Sequence, residues 1–279
     1  MKQERSRPAA PKTAKVVLWC TLVFLYLPIA VMMGGSLLWN EGTGLQLSFH
    51  WFREVLGDEA WMGALFNSVV VAICSASIAT VLGTLGALGL YKNRGAWVKT
   101  LDALSVASLI FPEIVFALSL LSWFFLLKFE LGLATVVMAH VSFSISYVMM
   151  TVSARLATLE ASLEDAARDL GASEWQVYKT VLLPLLSPAI LGGFIMSFLL
   201  SFDDFLITYF VNGVGQDTLP VKLYAAMKMG VSPKLNALST MMFLLTLLVS
   251  IFFFRSSAFR VLFEGARGND GTNAKEEDF

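Results

Sequence analysis

Three carboxylates stand inside long apolar stretches of this 279-residue chain, where a charged side chain is expensive to place. Glu113 directly follows Pro112, and Asp203 and Asp204 are adjacent further along the chain. No Lys or Arg lies deep enough in these stretches to neutralise the three acids. The chemistry this pattern indicates is binding: a path lined by buried carboxylates suits a flexible, multiply charged cation and does not suit an anion such as phosphate or sulfate.

The expected geometry of these acids differs from one to the next. Neighbouring residues on a helix point about 100° apart, so Asp203 and Asp204 are not expected to face one cavity together. One would line the path while the other pairs with a partner chain. Pro112 interrupts its helix and frees backbone groups beside Glu113 that a cavity could use. Asp102, near the inner edge of its stretch, is expected to have a structural role.

The other polar and aromatic residues in the apolar stretches are weaker candidates for binding or catalysis than the three acids. Tyr147 and Trp123 could present ring faces to a cation, although packing is the commoner role of such rings. His140 is expected to form a hydrogen bond between helices and not to carry protons. The two Cys and two His residues lack metal-ligand spacing, and the sequence contains no phosphate-binding loop, no nucleophile elbow and no Ser/His/Asp set with a plausible spacing. The chain is therefore predicted to bind no metal or cofactor and to be no enzyme.

Composition places the residues above in a membrane protein. Apolar residues make up 57 % of the chain, charged residues only 15 %, and the mean hydropathy is +0.70. Soluble domains carry nearer a quarter charged residues. The fold class predicted is all-α, a polytopic membrane domain over 16–254. Six stretches are long enough to cross a bilayer: 16–39, 66–90, 101–127, 131–151, 186–211 and 234–254. Pro112 leaves the third able to form two shorter pieces.

The distribution of basic residues predicts the orientation of these spans. With an inside amino terminus, 15 Lys and Arg residues fall in cytosolic segments and five fall outside, as the positive-inside rule requires. The tails 1–15 and 255–279 are therefore predicted to be cytosolic, the latter partly disordered. The first span is too long for a cleavable signal peptide. The external segment 219–230 is expected to form an amphipathic helix at the membrane surface.

The longest predicted cytosolic loop, 157–185, carries a defined pattern. Ser162 can start a helix that has acids in its first turn and Ala-rich positions after them. Gly171 is expected to end that helix, and Ser173 can cap a second one. Pro184 would break or start the helix that leads into the fifth span. An ordinary amphipathic connector is the alternative on composition alone.

The spacing of this loop resembles the EAA loop of binding-protein-dependent ABC import permeases, whose pattern is E-A-A-x3-G-x9-I-x-L-P. The matching residues are Asp165, Ala166, Ala167, Gly171, Val181, Leu183 and Pro184. Asp165 replaces the usual Glu, with Glu164 just before it, and Val181 replaces Ile, so charge and shape are kept.

The resemblance implies how the loop acts. In that family it docks in a groove on the ATP-hydrolysing subunit and transmits its motion. The residues that it assigns to this contact are Glu164, Asp165, Ala166, Ala167, Gly171 and Ala172, followed by Val181, Leu183 and Pro184 in the second half of the pattern. ATP and Mg²⁺ would be bound by that separate subunit, since this chain has no phosphate-binding loop.

Nearly the whole chain is similar to permeases of the spermidine/putrescine class, and specifically to their C-type subunit. The matching stretches are FPEIVFALSL (111–120), DLGAS (169–173), SFDDFLITYFV (201–211), LPVKLY (219–224) and MGVSPKLNALST (229–240). This resemblance implies the type I importer fold, a bacterial inner membrane location, a second and different permease chain, two ATPase subunits, a periplasmic polyamine-binding protein, and a polyamine as cargo.

Two other functions remain open on the residues alone. A proton-coupled secondary transporter of a cationic solute could use Glu113 and His140 as relay groups, but it gives the loop no role. A membrane-embedded enzyme would need a catalytic set that the sequence does not contain.

Overall fold

The chain is described by a computed structural model over residues 12–40, 45–93, 95–160, 162–230 and 232–255. The predicted tails before residue 12 and after residue 255 lie outside these residues. In chain order the elements are α1 (Lys12–Ser36), β1 (Leu38–Asn40), β2 (Leu45–Leu47), α2 (His50–Leu56), α3 (Glu59–Lys92), α4 (Ala96–Ile110), α5 (Glu113–Leu126), α6 (Leu133–Leu156), α7 (Ser162–Asp169), α8 (Glu174–Gln176), a π-helical segment (Val177–Leu182), α9 (Leu183–Asp203), α10 (Leu206–Val211), α11 (Leu219–Met227) and α12 (Pro233–Arg255).

Five helices in the described part of the chain are long and apolar enough to cross a membrane. They are Lys12–Ser36, Glu59–Lys92, Leu133–Leu156, Glu174–Asp203 and Pro233–Phe252. The predicted third span is divided into α4 and α5, because Pro112 has no N–H to donate and holds Phe111 in an extended conformation. Five long helices and this pair of short ones are consistent with six crossings, the third of them broken.

The outer end of the predicted fifth span differs from the expectation. The stretch 186–211 does not form one helix: α9 ends at Asp203, Asp204 is extended, and α10 begins at Leu206. The Asp204 carboxylate accepts hydrogen bonds from the backbone N–H groups of Ile207, at 3.4 Å, and Thr208, at 2.8 Å. A short acidic side chain that bonds the backbone in this way competes with helix continuation, and hydropathy does not register the competition.

The inner end of the same span begins earlier than expected. Pro184 stands in the first turn of α9, as predicted, yet the chain is already helical from Glu174 onward. The π-helical turn before Pro184 supplies wider spacing, with the Leu183 N–H bonded to the Tyr178 carbonyl. Pro188 cannot donate to the Pro184 carbonyl, and the Ser187 hydroxyl donates to it instead, at 2.8 Å.

The chain divides into two compact units. The larger holds the described residues of 60–225 and 244–255, and its centre is the packing of α6 against α9. Val148 of α6 lies where a Cβ on Gly83 of α3 would meet it at 2.7 Å and one on Gly193 of α9 at 3.3 Å. The small residues Ala79, Gly83 and Ala87 of α3 are buried, so their spacing serves close helix packing.

The smaller unit holds the described residues up to 59 together with 226–243. Its short antiparallel pair β1–β2 joins Leu38 to Leu47 and was not anticipated in an all-α chain. The Trp51 indole N–H donates to the Leu38 carbonyl at 3.0 Å and fixes α2 beside this pair. Lys234 forms ion pairs with Glu54, at 2.9 Å, and Asp58, at 3.1 Å.

Candidate functional site

A cavity of about 750 Å³ opens within the larger unit, where α5, α6, α9 and α10 meet. Its wall is mostly apolar, and the polar groups on it are mainly acids. The lining residues are Leu109, Phe111, Glu113, Phe116, Phe143, Tyr147, Met196, Leu199, Leu200, Asp203, Asp204, Phe205, Leu206, Ile207 and Thr246. No Lys, Arg or His is among these described lining residues, so the cavity has a net negative wall.

Asp203 and Asp204 both line this cavity, whereas the sequence predicted that only one of the two would line it. The expectation assumed a continuous helix. Because α9 ends at Asp203 and Asp204 is extended, the angle of about 100° between helical neighbours does not apply to this pair.

Glu113 lines the cavity together with the two aspartates. It is the first residue of α5, directly after the Pro112 break, and its carboxyl group lies close enough to that of Asp204 for the two to interact. Two carboxyl groups this close repel each other when both are ionised.

Asp203 and Glu113 are exposed to the cavity, whereas Asp204 is buried. No hydrogen bond or ion pair within the described residues engages the Asp203 carboxylate. Asp204 differs because its Oδ2 accepts from the Thr208 backbone N–H and hydroxyl, both at 2.8 Å, and from His140 Nε2 at 3.1 Å. Of the three acids, Asp203 and Glu113 have carboxylate capacity left for a ligand.

The structure brings Ser201, His140 and Asp204 into a hydrogen-bonded row that the sequence analysis did not foresee. The Ser201 hydroxyl lies 2.6 Å from His140 Nδ1. This set does not have the arrangement of a hydrolase, because a nucleophile must reach its substrate. Ser201 is buried, is absent from the cavity lining and accepts a hydrogen bond from Ser75 at 2.9 Å. The helix-to-helix hydrogen bond predicted for His140 is present.

The aromatic candidates separate into one that lines the cavity and one that does not. Tyr147 lies on the wall, whereas Trp123 lies outside the described lining and is exposed on α5. Phe205 was missed: it follows the acid pair, lines the cavity and packs its ring 4.4 Å from that of Tyr224. Its position next to Asp204 was the available signal. The side chain of Asp102 lies outside the described residues.

No cluster of three or more His, Cys, Asp and Glu side chains among the described residues could hold a metal ion. Cys20 and Cys74 are free and exposed on apolar helices.

The second candidate region is the coupling segment, here residues 162–184. Its helix, turn, helix pattern agrees with the prediction from the loop. Gly171 has φ +86°, and the N–H groups of Gly171 and Ala172 bond the carbonyls of Arg168 and Ala167, which is the glycine-ended helix terminus called the Schellman motif. Ser173 and Gln176 bond each other's backbone N–H groups in a capping box.

The predicted docking residues divide by exposure. Asp165, Ala166 and Gly171 are exposed, Ala167 and Ala172 are half-buried, and Glu164 is buried beside Arg168. Val181 and Leu183 are half-buried and Pro184 is exposed, all within the helix that continues into the fifth span. Two apolar side chains that sequence reasoning missed are open to solvent: Leu170 is 90 % exposed and Trp175 is 70 % exposed. Leu170 and Trp175 stand on either side of Gly171 and Ala172 in the chain, next to the predicted docking residues.

A charged network fixes the coupling segment to the ends of two spans. Arg168 bonds Glu164 and Glu174, both at 2.9 Å, and Asp165 at 3.0 Å. Glu174 also bonds Lys92 at the end of α3. The bonds to Glu174 and Glu164 raise the pKa of the Arg168 guanidinium further above its ordinary value. Single exposed pairs contribute little, but this network joins α3, α7 and α8.

Comparisons with known proteins connect both regions to one family. Residues 79–264 match the family described as "Binding-protein-dependent transport system inner membrane component". The chain is 34 % identical over 227 residues to the spermidine/putrescine transport system permease protein PotC of Haemophilus influenzae, covering 80 % of this chain and 88 % of that protein. It is 36 % identical over 237 residues to the putrescine transport system permease protein PotI of Escherichia coli K12, covering 81 % and 84 %.

Solved structures agree on the fold. A bacterial ABC transporter involved in the import of the acidic polysaccharide alginate superposes with a TM-score of 0.68 over 88 % of this chain and 95 % of that chain. An inward-facing MetNI methionine ABC transporter gives 0.61 over 75 % and 99 %. Both are 16 % identical to this chain, so they show the shared fold alone.

Proposed function

Because the chain belongs to the family of inner membrane components of binding-protein-dependent transport systems, we propose that it forms half of the transmembrane pathway of an ATP-driven importer whose cargo is a polyamine. The observation that carries the proposal is the cavity wall on which Glu113 and Asp203 keep carboxylate oxygens available. The relatives named for spermidine and putrescine transport support the same cargo.

The cavity chemistry fits a polyamine in two ways. Ammonium groups form charge-assisted hydrogen bonds with Glu113 and Asp203, each contributing about 1.5–3 kcal/mol. The methylene segments between the ammonium groups pack against the apolar wall, for example Phe116 and Met196. A volume of about 750 Å³ lies in the range of small-molecule sites. An anion would meet the acids without a compensating base.

The proposal extends to the partners. The coupling segment docks on a separate ATPase subunit, which binds ATP and Mg²⁺, and Asp165, Leu170 and Trp175 form the exposed part of this contact. A second, different permease chain supplies the other half of the pathway, and a periplasmic binding protein delivers the polyamine. Two ATPase copies serve the pair of permeases, as the resemblance to this transporter class implies.

Uptake by the complete importer tests the proposal. Proteoliposomes with both permeases and the ATPases would be supplied with binding protein and labelled spermidine or putrescine. Glu113→Gln with Asp203→Asn should lower uptake at least about 100-fold, because two charge-assisted bonds are lost. Glu130→Gln, an exposed acid outside the described cavity wall, is the matched control and should transport normally. Absence of spermidine and putrescine uptake in the wild-type complex would refute the cargo, and normal uptake by the double variant would refute the pathway.

The proton-coupled alternative receives less support. Its relay needs His140 to exchange protons with the path, but His140 is fully buried and absent from the described cavity wall. Family membership also favours ATP as the energy source. Uptake that survives ATP depletion and collapses when the proton gradient is dissipated would reverse this preference.

A further inference from the structure

His140 is a buried polar side chain that the cation pathway does not itself use. It lies on α6 with no exposed surface, and its ring bonds residues of α9, of α10 and of the break between them. We propose that His140 is a positioning residue of the transport site: it holds Asp204 as a structural anchor, so that Asp203 and Glu113 alone meet the cargo. This inference rests on the proposed function.

The Asp204 carboxylate has few acceptor positions left for a ligand. Its Oδ2 accepts from the Thr208 N–H and hydroxyl and from His140 Nε2, and its Oδ1 faces the Ile207 N–H. A carboxylate offers about four acceptor positions, and protein donors occupy most of them. Although Asp204 is part of the cavity wall, its charge is engaged by the protein.

Hydrogen bonds at both ring nitrogens hold the His140 imidazole in place. Nε2 lies 3.1 Å from Asp204 Oδ2 and 3.0 Å from the Thr208 hydroxyl, and Nδ1 lies 2.6 Å from the Ser201 hydroxyl. With the proton on Nε2, the ring donates to Asp204 and accepts from Ser201. Ser201 in turn accepts from Ser75 of α3. One imidazole thereby connects α3, α6, α9 and α10 at the point where the fifth span is interrupted.

Replacing the His140 imidazole with a ring that lacks nitrogens should displace the Asp204 carboxylate. A phenyl ring fills a similar volume but donates no hydrogen bond, so the buried Asp204 carboxylate loses one of the donors that hold it in place. Asp204 would then move toward the cavity or toward Glu113, with which it already interacts. Either movement changes the placement of Asp203, its neighbour at the end of α9. The defect should appear in cargo transfer and not in ATP hydrolysis.

The experiment measures uptake and ATP hydrolysis together in proteoliposomes that hold the complete importer, with labelled putrescine and spermidine. His140→Phe should lower uptake at least tenfold while ATPase activity stimulated by loaded binding protein stays within twofold of wild type. His140→Gln, whose amide can donate to Asp204, should restore uptake to within threefold. Ser144→Ala is the matched control: it is buried on the same helix without a hydrogen-bond partner among the described atoms and should change neither quantity.

Each outcome has a distinct meaning. Uptake at the wild-type level in His140→Phe overturns the inference, as does a parallel loss of uptake, ATPase activity and assembly that His140→Gln fails to rescue, since plain packing would explain it. If His140→Phe does not assemble, Thr208→Val removes one bond to the same Asp204 oxygen and keeps the ring. It should lower uptake about threefold with normal ATPase activity, and no change would overturn the inference. Failure of the wild-type complex to take up either polyamine would instead refute the proposed function.

Discussion

Most of the charged residues in both the cavity wall and the coupling segment are acids, but the surroundings of these acids are opposite. On the cavity wall, Asp203 and Glu113 face open space without a basic neighbour among the described lining residues. In the coupling segment, Glu164 and Glu174 bond Arg168 directly. An acid that lacks a partner within its own chain is available to a mobile cation, whereas an acid that is already paired makes a surface rigid.

The strongest effect should follow a substitution at the glycine turn of the coupling segment. Gly171→Asp places a β-carbon at φ +86°, a conformation that L residues rarely adopt, and adds charge to the docking surface. It should abolish co-purification with the ATPase and lower uptake to background, while membrane insertion stays normal. Gly215→Asp is the matched control, with φ +77° and open space around it. The Gly215 variant should keep the ATPase bound. Normal ATP-dependent uptake by the Gly171 variant would contradict the proposal that this segment docks on the ATPase.

The same change, Asp to Asn, can be made in both regions and should have a smaller effect than the Gly171 substitution. Asp203→Asn should lower polyamine uptake about tenfold, because one charge-assisted bond is weakened, with the amount of bound ATPase unchanged. Asp165→Asn should instead weaken ATPase association a few fold and leave the relative preference for putrescine and spermidine unchanged. Pull-down of the ATPase and uptake assays with both polyamines separate the two. The same defect from both variants would show that the two regions do not have separate roles.

The smallest expected effect concerns the network that Glu174 completes. Glu174→Gln removes charge from the contacts with Arg168 and Lys92, which are exposed and therefore each contribute little to stability. The ratio of polyamine transported to ATP hydrolysed should fall about twofold to threefold. Raising the ionic strength should lower the wild-type ratio toward that of the variant, because salt screens exposed pairs.

Glu160→Gln is the control for this network, since none of the ion pairs found among the described residues includes Glu160. It should leave the transport ratio unchanged. If the Glu174 variant transports as much polyamine per ATP hydrolysed as the wild type at low salt, the network does not contribute to coupling.

Hydropathy and short-range signals predicted much of this molecule. Apolar length located the spans, and the helix-forming residues around Gly171 predicted the coupling segment. The division of the third span followed from Pro112. These features depend on local chemistry, which a sequence states directly.

Other features depend on contacts between distant residues. The break at Asp204 needs the Thr208 backbone and His140, which is 64 residues away in the chain. The placement of both aspartates on one wall was therefore missed. The exposure of Leu170 and Trp175 was also missed, because an apolar residue in an amphipathic segment is expected to be buried until packing shows otherwise.

One feature of the fold joins the two regions physically. The helical chain from Glu174 to Asp203 runs for 30 residues without interruption, about 45 Å by helical rise. The π-helical turn precedes Pro184, and the Ser187 hydroxyl bonds the carbonyl that Pro188 leaves without an N–H donor. One end adjoins the Ser173 cap of the coupling segment and the other carries an acid of the cavity. Such a rod can act as a lever arm: if the proposed docking on an ATPase tilts one end, the movement at the Asp203 end is enlarged by the length of the arm.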